Sequence, residues 1–191
     1  MNLLGIDTET GGLSDGASLL TLQLSVYSSD AKELLDSFNI KLKPDPIHGR
    51  TVYQIEAEAL EINKIDLIEH DKVAITYKES KKLIYDFLFQ SSQKYGKLIP
   101  FGQNVAEDIK LITDSTISID TWNSFCSRKV IDTVALGVFA QLKGKIPFEQ
   151  SLGLGSVCNH LGISVDFSKL HGEEYDVQLN AELIKWHLEN N

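Results

Sequence analysis

An α/β architecture, with a mixed sheet flanked by helices, is predicted by three features of the sequence. A short apolar run at residues 2–7 (Asn-Leu-Leu-Gly-Ile-Asp) stops at a carboxylate, as a buried central strand does at its end. Two alternating stretches follow it directly. Short apolar runs and helical stretches then take turns to the end of the chain. In the first alternating stretch Leu20, Leu22, Leu24 and Val26 share one face, and Thr21, Gln23, Ser25 and Tyr27 the other. A polar turn near residues 28–32 leads to the second, where Leu34, Phe38, Ile40 and Leu42 alternate with polar partners and only Asp36 breaks the pattern. The first three strands therefore read as an antiparallel meander.

Pro44 and Pro46 end the meander, and residues 53–70 read as helical in pieces. Residues 77–91 form a clearer helix, with Leu83, Ile84, Phe87 and Leu88 on its apolar face. A brief strand at 98–101 precedes a helix from Asn104, whose core side is Val105, Ile109 and Ile112. A strand at 128–131 precedes a helix from Asp132 to about Leu142. A glycine-rich loop spans 144–155; helices follow at 156–161 and about 174–188. The count is five strands, in one domain spanning 1–191.

Composition narrows the chemistry. No apolar run approaches the ~18 residues of a membrane span. Met1 leads into a strand pattern and acidic residues instead of a signal-peptide pattern, so a cytoplasmic location is expected. Cys126 and Cys158 form no C-x-x-C pair and suit buried, reduced thiols. Lys and Arg number 18 against 27 Asp and Glu, a net charge of −9. That balance argues against tight, unaided gripping of duplex DNA, although metal ions let an acidic site act on phosphates.

Four carboxylates and one histidine carry the candidate chemistry. Asp7 and Glu9 are two apart on a strand and so share a face. Their repulsion is offset by solvent at a strand end or by a divalent cation. Asn104 and Glu107 have capping-box spacing, which leaves Asp108 beside the apolar face and available to a pocket. Asp132 reads as an N-cap. His171 and Asp176 are five apart, too far round for one helical face. His171 therefore belongs to the loop before the last helix, and Asp176 to that helix's first turn. His48, His70 and His160 have no carboxylate at a useful spacing, and His187 suits a helix C-terminus.

The order of these pieces resembles the DEDDh (DnaQ-like) 3′–5′ exonuclease superfamily. The resemblance rests on Ile6-Asp7-Thr8-Glu9-Thr10-Gly11, on Gly102-Gln103-Asn104-Val105-Ala106-Glu107-Asp108-Ile109, and on His171-Gly172-Glu173-Glu174-Tyr175-Asp176. Ile131-Asp132-Thr133 and residues 154–162 add to it, so it covers nearly the whole chain. Two positions depart from the family pattern: Glu107 replaces a frequent aromatic, and Glu173 a frequent small residue. The resemblance implies a ribonuclease-H-like fold and two-metal hydrolysis at a 3′ end, releasing nucleoside 5′-monophosphates. By it, Asp7 bridges two Mg²⁺ or Mn²⁺ ions. Glu9 and Asp176 hold the ion that carries the attacking water, Asp108 supports the second ion, and His171 is the general base. Thr10, Gly11 and Leu13 are implied at the terminal nucleotide, and Gln103 and Asn104 at sugar or phosphate.

The implied partners are single-stranded or frayed DNA or RNA 3′ ends. A polymerase or a replication or repair partner is the alternative means of delivery. Two other readings remain within the fold: oligoribonuclease-like trimming of short RNA, and a non-catalytic nucleic-acid- or polymerase-associated module. Residues 3–10 also look like the Asp-x-Asp-x-Thr start of haloacid-dehalogenase-type phosphatases, against which Glu9 and the following meander count.

Overall fold

The computed structural model describes residues 1–14 and 16–190. Six strands run in the order β4-β3-β2-β1-β5-β6. They are β1 (Leu3–Thr10), β2 (Leu19–Tyr27), β3 (Leu34–Lys43), β4 (Ile75–Thr76), β5 (Ile99–Gly102) and β6 (Ile131–Asp132). The helices are α1 (Ala57–Asn63), α2 (Leu67–Val73), α3 (Tyr77–Tyr95), α4 (Val105–Ser115), α5 (Ile119–Phe125), α6 (Thr133–Leu142), α7 (Leu154–His160) and α8 (Glu173–Glu189).

The meander is present: β1 pairs antiparallel with β2, and β2 with β3. β5 and β6 extend the sheet in parallel from the other side of β1. The expected five strands become six, because Ile75 and Thr76 add a two-residue strand beside Leu42 and Lys43. Two residues are too few for any hydrophobic period to reveal them. β6 lies at Ile131–Asp132 instead of 128–131. β1 runs on past its first carboxylate, with Asp7 opposite Gln23 and Glu9 opposite Thr21. The break at Asp36 is a register irregularity: Val26 pairs with Asp36 and Tyr27 with Leu34, so Leu35 is the extra residue.

The two faces of the sheet carry different cores. On one, Leu4, Ile6, Leu22 and Leu24 pack with Ile84 and Leu88 of α3 and Val105 and Ile112 of α4. On the other, Leu3, Tyr27 and Phe101 pack with Val177, Ala181 and Ile184 of α8. Gly5 sets the spacing there, because a Cβ at this position would lie 2.4 Å from Val177 Cγ1. A glycine lets α8 press directly onto β1, which brings the start of α8 to the carboxylate end of that strand. Both cysteines are free and buried. Among the described residues, no helix is long and apolar enough to cross a membrane.

Candidate active site

The C-terminal end of β1 opens into a cleft of about 740 Å³. Asp7, Glu9 and Thr10 of β1 line it, with Leu13 from the following turn. Gln103, Asn104 and Asp108 line it from the start of α4, and His171 and Asp176 from the start of α8. Nine of the ten residues singled out in the sequence thus meet in one place. The tenth, Gly11, is buried just behind the cleft wall, where a Cβ would lie 2.2 Å from the carbonyl oxygen of Gln54.

Each side chain is held by its element. Strand alternation sends Asp7 and Glu9 towards α8 and Thr8 towards α4. The Thr8 hydroxyl there donates to Asp108 Oδ1 at 2.6 Å. This bond joins strand to helix and orients a buried carboxylate. Asp132 does cap α6: its Oδ1 accepts from Val134 N at 2.9 Å. The same oxygen accepts from Asn104 N at 3.2 Å, which ties the starts of α4 and α6 together. The capping box expected from Asn104 and Glu107 is not made. Asn104 adopts a left-handed conformation with φ 54°, and its side chain caps nothing. A capping side chain needs extended backbone to reach back to the first turn. Glu107, expected to be structural, instead lines the cleft.

His171 lies in the loop before α8, as its spacing from Asp176 requires. Its backbone N–H donates to Asp176 Oδ2 at 3.1 Å. Asp176 Oδ1 is buried and has no hydrogen-bond partner among the described residues. Glu173 comes close as well: its Oε1 accepts from Asn39 Nδ2 at 3.0 Å, and its charge acts on Glu9. Two other histidines have structural places. His70 meets the Leu42 carbonyl oxygen through Nε2 at 2.9 Å. His187 is buried in the last turn of α8, where burial, with help from Lys143, pulls its pKa down.

Carboxylates dominate the electrostatics of the cleft, which Lys110 also lines. Burial raises the Asp7 carboxyl well above its usual range, and Asp108, Glu9, Asp176 and Glu173 add to the rise. Burial pushes Glu9 up to about 8, reinforced by Glu173, Asp176 and Asp108. Asp108 is pushed up to about 7 by burial, against the lowering effect of the Thr8 hydroxyl. Asp176 is raised too, chiefly by burial. Four carboxylates in mutual repulsion call for protons or for a cation.

The donor set fits a hard divalent ion. All the candidate ligands are carboxylate oxygens, and one of those oxygens is buried without a partner. Among the described residues no group of three or more His, Cys, Asp or Glu side chains is placed to hold a metal ion as it stands. The carboxylates surround an open cleft, the arrangement a site shared with substrate needs.

Neither a family model nor a curated protein matches this sequence. Solved structures do. An exonuclease I structure that addresses how processivity is achieved superposes with a TM-score of 0.76 at 16% identity, over 97% of this chain and 40% of the other. This is the exonuclease I fold. The zinc-bound complex of E. coli exonuclease I with single-stranded DNA gives 0.75 at 15% identity, over 100% of this chain and 41% of that one. A 3′-exonuclease in a study of 3′-end-specific recognition of the histone mRNA stem-loop gives 0.65 at 15% identity, over 100% of this chain and 82% of that one. The chain spans about two fifths of the length of the exonuclease I chains it matches.

Two residues of the site were not legible in the sequence. Thr8 reaches Asp108 across 100 positions of sequence, and Glu56 reaches the 11–14 turn across more than 40. A threonine between two strand carboxylates was the only hint of the first. Nothing in the sequence pointed to the second.

Proposed function

We propose that the protein is a metal-dependent 3′–5′ exonuclease of the DEDDh type, acting on single-stranded or frayed nucleic acid and releasing nucleoside 5′-monophosphates. The observation that carries this reading is the gathering of Asp7, Glu9, Asp108 and Asp176 from three elements into one cleft with His171 at its side. The shared fold supports it, as do the DNA-bound and RNA-directed exonucleases among the structural relatives.

The four carboxylates would hold two Mg²⁺ or Mn²⁺ ions. When bound, such ions offset the charge of the scissile phosphate and make water a better nucleophile. Asp176, anchored through one oxygen by the His171 N–H, keeps its other oxygen buried and without a hydrogen-bond partner beside the cleft. Asp108, anchored by Thr8, lines the cleft from α4. His171 takes the proton of the attacking water through its imidazole. The water oxygen bonds to phosphorus, the bond from phosphorus to the 3′-oxygen of the penultimate nucleotide breaks, and that oxygen takes a proton from solvent to leave as a hydroxyl. Thr10 and Leu13 form the wall for the terminal nucleotide, with Gly11 buried behind them, and Gln103 and Asn104 the side facing sugar or phosphate.

The acidic chain supplies little attraction for a long duplex, so short strands and frayed ends are the favoured substrates. The test uses short 5′-labelled DNA and RNA strands with Mg²⁺ or Mn²⁺, beside EDTA controls and Asp7→Ala. The expected outcome is a ladder that shortens from the 3′ end and falls about a thousandfold in rate with Asp7→Ala. The faster strand identifies the sugar. No cleavage of either strand by the metal-loaded protein overturns the enzymatic reading in favour of a binding module.

A further inference from the structure

The 53–63 segment between β3 and α2 is unusual in what it lacks. Helix α1 fully buries no residue: Ala59 and Leu60 are half-buried, and Ile55 just before the helix lies against Gly11. Tyr53 turns away to Asp71, while Gln54, Glu56 and Asn63 bond to the end of β1 and the stretch that follows it. Gln54 accepts from Ser18 N at 3.0 Å through its carbonyl and donates its N–H to Ser18 Oγ at 2.8 Å. Glu56 N donates to the Gly11 carbonyl at 2.6 Å. Asn63 Nδ2 donates to the Thr10 carbonyl at 3.1 Å.

Glu56 is the centre of this brace. It occupies the N-cap position of α1, where its side chain makes no capping bond to its own helix. Glutamate is a poor N-cap, and here its carboxylate is turned elsewhere. Oε2 accepts from Leu13 N at 3.2 Å, and Oε1 from Ser14 N at 3.0 Å. One carboxylate thus grips two consecutive backbone N–H groups. The glycine before them makes room, because a Cβ on Gly12 would lie 2.4 Å from Glu56 Cδ. The side chain this turn displays is Leu13, which is 100% exposed and lines the mouth of the cleft. A large apolar side chain on a turn secured by hydrogen bonds from one segment is presented, not left loose.

We propose that Glu56 is a positioning residue: its carboxylate fixes the Gly11–Ser14 turn so that Leu13 meets the terminal base of a bound strand. The inference rests on the exonuclease reading of the cleft. It assigns the 53–63 segment a role in substrate alignment that its packing does not supply. Glu56 touches neither substrate nor metal; it acts through Leu13.

Two measurements on the full chain test it. The first is amide hydrogen exchange of the substrate-free protein. In Glu56→Ala the Leu13 and Ser14 amides should lose protection while β2 and α3 keep theirs. The second is steady-state kinetics on a 5′-labelled single strand. Glu56→Ala should raise KM about tenfold and change kcat less than about twofold, the loss expected for a charge-assisted bond. Glu56→Gln keeps one acceptor oxygen and should fall between, at about threefold. Leu13→Ala should match Glu56→Ala, and the double variant should be no worse than either. Unchanged protection of the two amides overturns the brace. Additive effects of the two substitutions, or a fall in kcat with KM constant, overturn the role in alignment. A wild-type protein that cleaves nothing overturns that role together with the exonuclease reading, while the exchange experiment still decides, independently of activity, whether Glu56 holds the turn.

Discussion

On the α3–α4 side of the sheet Leu4, Ile6, Leu22, Leu24 and Val26 are fully buried. On the α8 side the residues interleaved with them include Gly5, Asp7, Gln23 and Ser25. The same strands therefore present a dry aliphatic surface to one layer and a graded polar surface to the other. The gradient has direction. Near the start of β1, Leu3 joins Tyr27 and Phe101 in an apolar cluster. Further along, Gln23 Nε2 donates to Ser25 Oγ and Ser37 Oγ, each at 2.8 Å, and Gln23 Oε1 accepts from Asn39 at 2.9 Å. Asn39 passes the network to Glu173. At the end of the strand come Asp7 and Glu9, whose charges other carboxylates oppose. One face holds the fold together, and the other gives up that stabilisation to assemble a site.

The largest effect that separates the faces is on stability. Leu22→Ala removes a fully buried side chain beneath α4 and should cost about 3 kcal/mol. For a domain of this size that lowers Tm by about 6–12 °C. Gln23→Ala, one residue along, leaves satisfied partners unpaired and should cost about 1–2 kcal/mol. Urea unfolding of both variants checks the order. A greater loss from Gln23→Ala would place the stability of the sheet on the α8 side and break the contrast.

A smaller effect belongs to Thr8, which sits on the aliphatic side of β1 yet serves the site. Thr8→Val keeps the shape and removes the donor to Asp108 Oδ1. Mn²⁺ affinity should fall about tenfold, as it does when the support of a metal ligand is lost. Thr8→Ser should restore it. Equal affinity in all three proteins would mean that Asp108 needs no orientation from β1.

Much of this was legible from periodicity. The strict alternation of 20–27 predicts both faces of β2, and residues 2–7 predict the central strand. The three segments that resemble the DEDDh pattern converge as expected. Illegible features share a cause: they depend on partners far away in sequence, or on too few residues to show a period. α5 is seven residues long, and only Ser118, which accepts from Thr121 N, marks its start. Asn104 has the spacing of a capping residue, but the carboxylate of Asp132, 28 positions away, takes its N–H, and its backbone turns left-handed. Glu56 looks like one more surface acid, and its carboxylate reads as meaningful only once the 11–14 turn lies against it.

The proposed function requires the acidic end of the α8 face to be unfavourable in the protein alone and to be relieved by a divalent cation. Melting curves with pH and Mn²⁺ test it most directly. Glu9 has an ordinary value of 4.5 and is raised to about 8 in the fold, so its contribution to stability is intact below 4.5 and is lost as pH rises through about 8. Asp7, also raised, acts in the same direction. Metal-free Asp7→Asn should therefore melt above the wild type, by an amount that grows with pH and reaches about 3 °C near pH 8. Mn²⁺ should raise the wild-type Tm and leave that of Asp7→Asn nearly unchanged. Equal metal-free melting of the two proteins at every pH, or an equal response of both to Mn²⁺, would contradict the account.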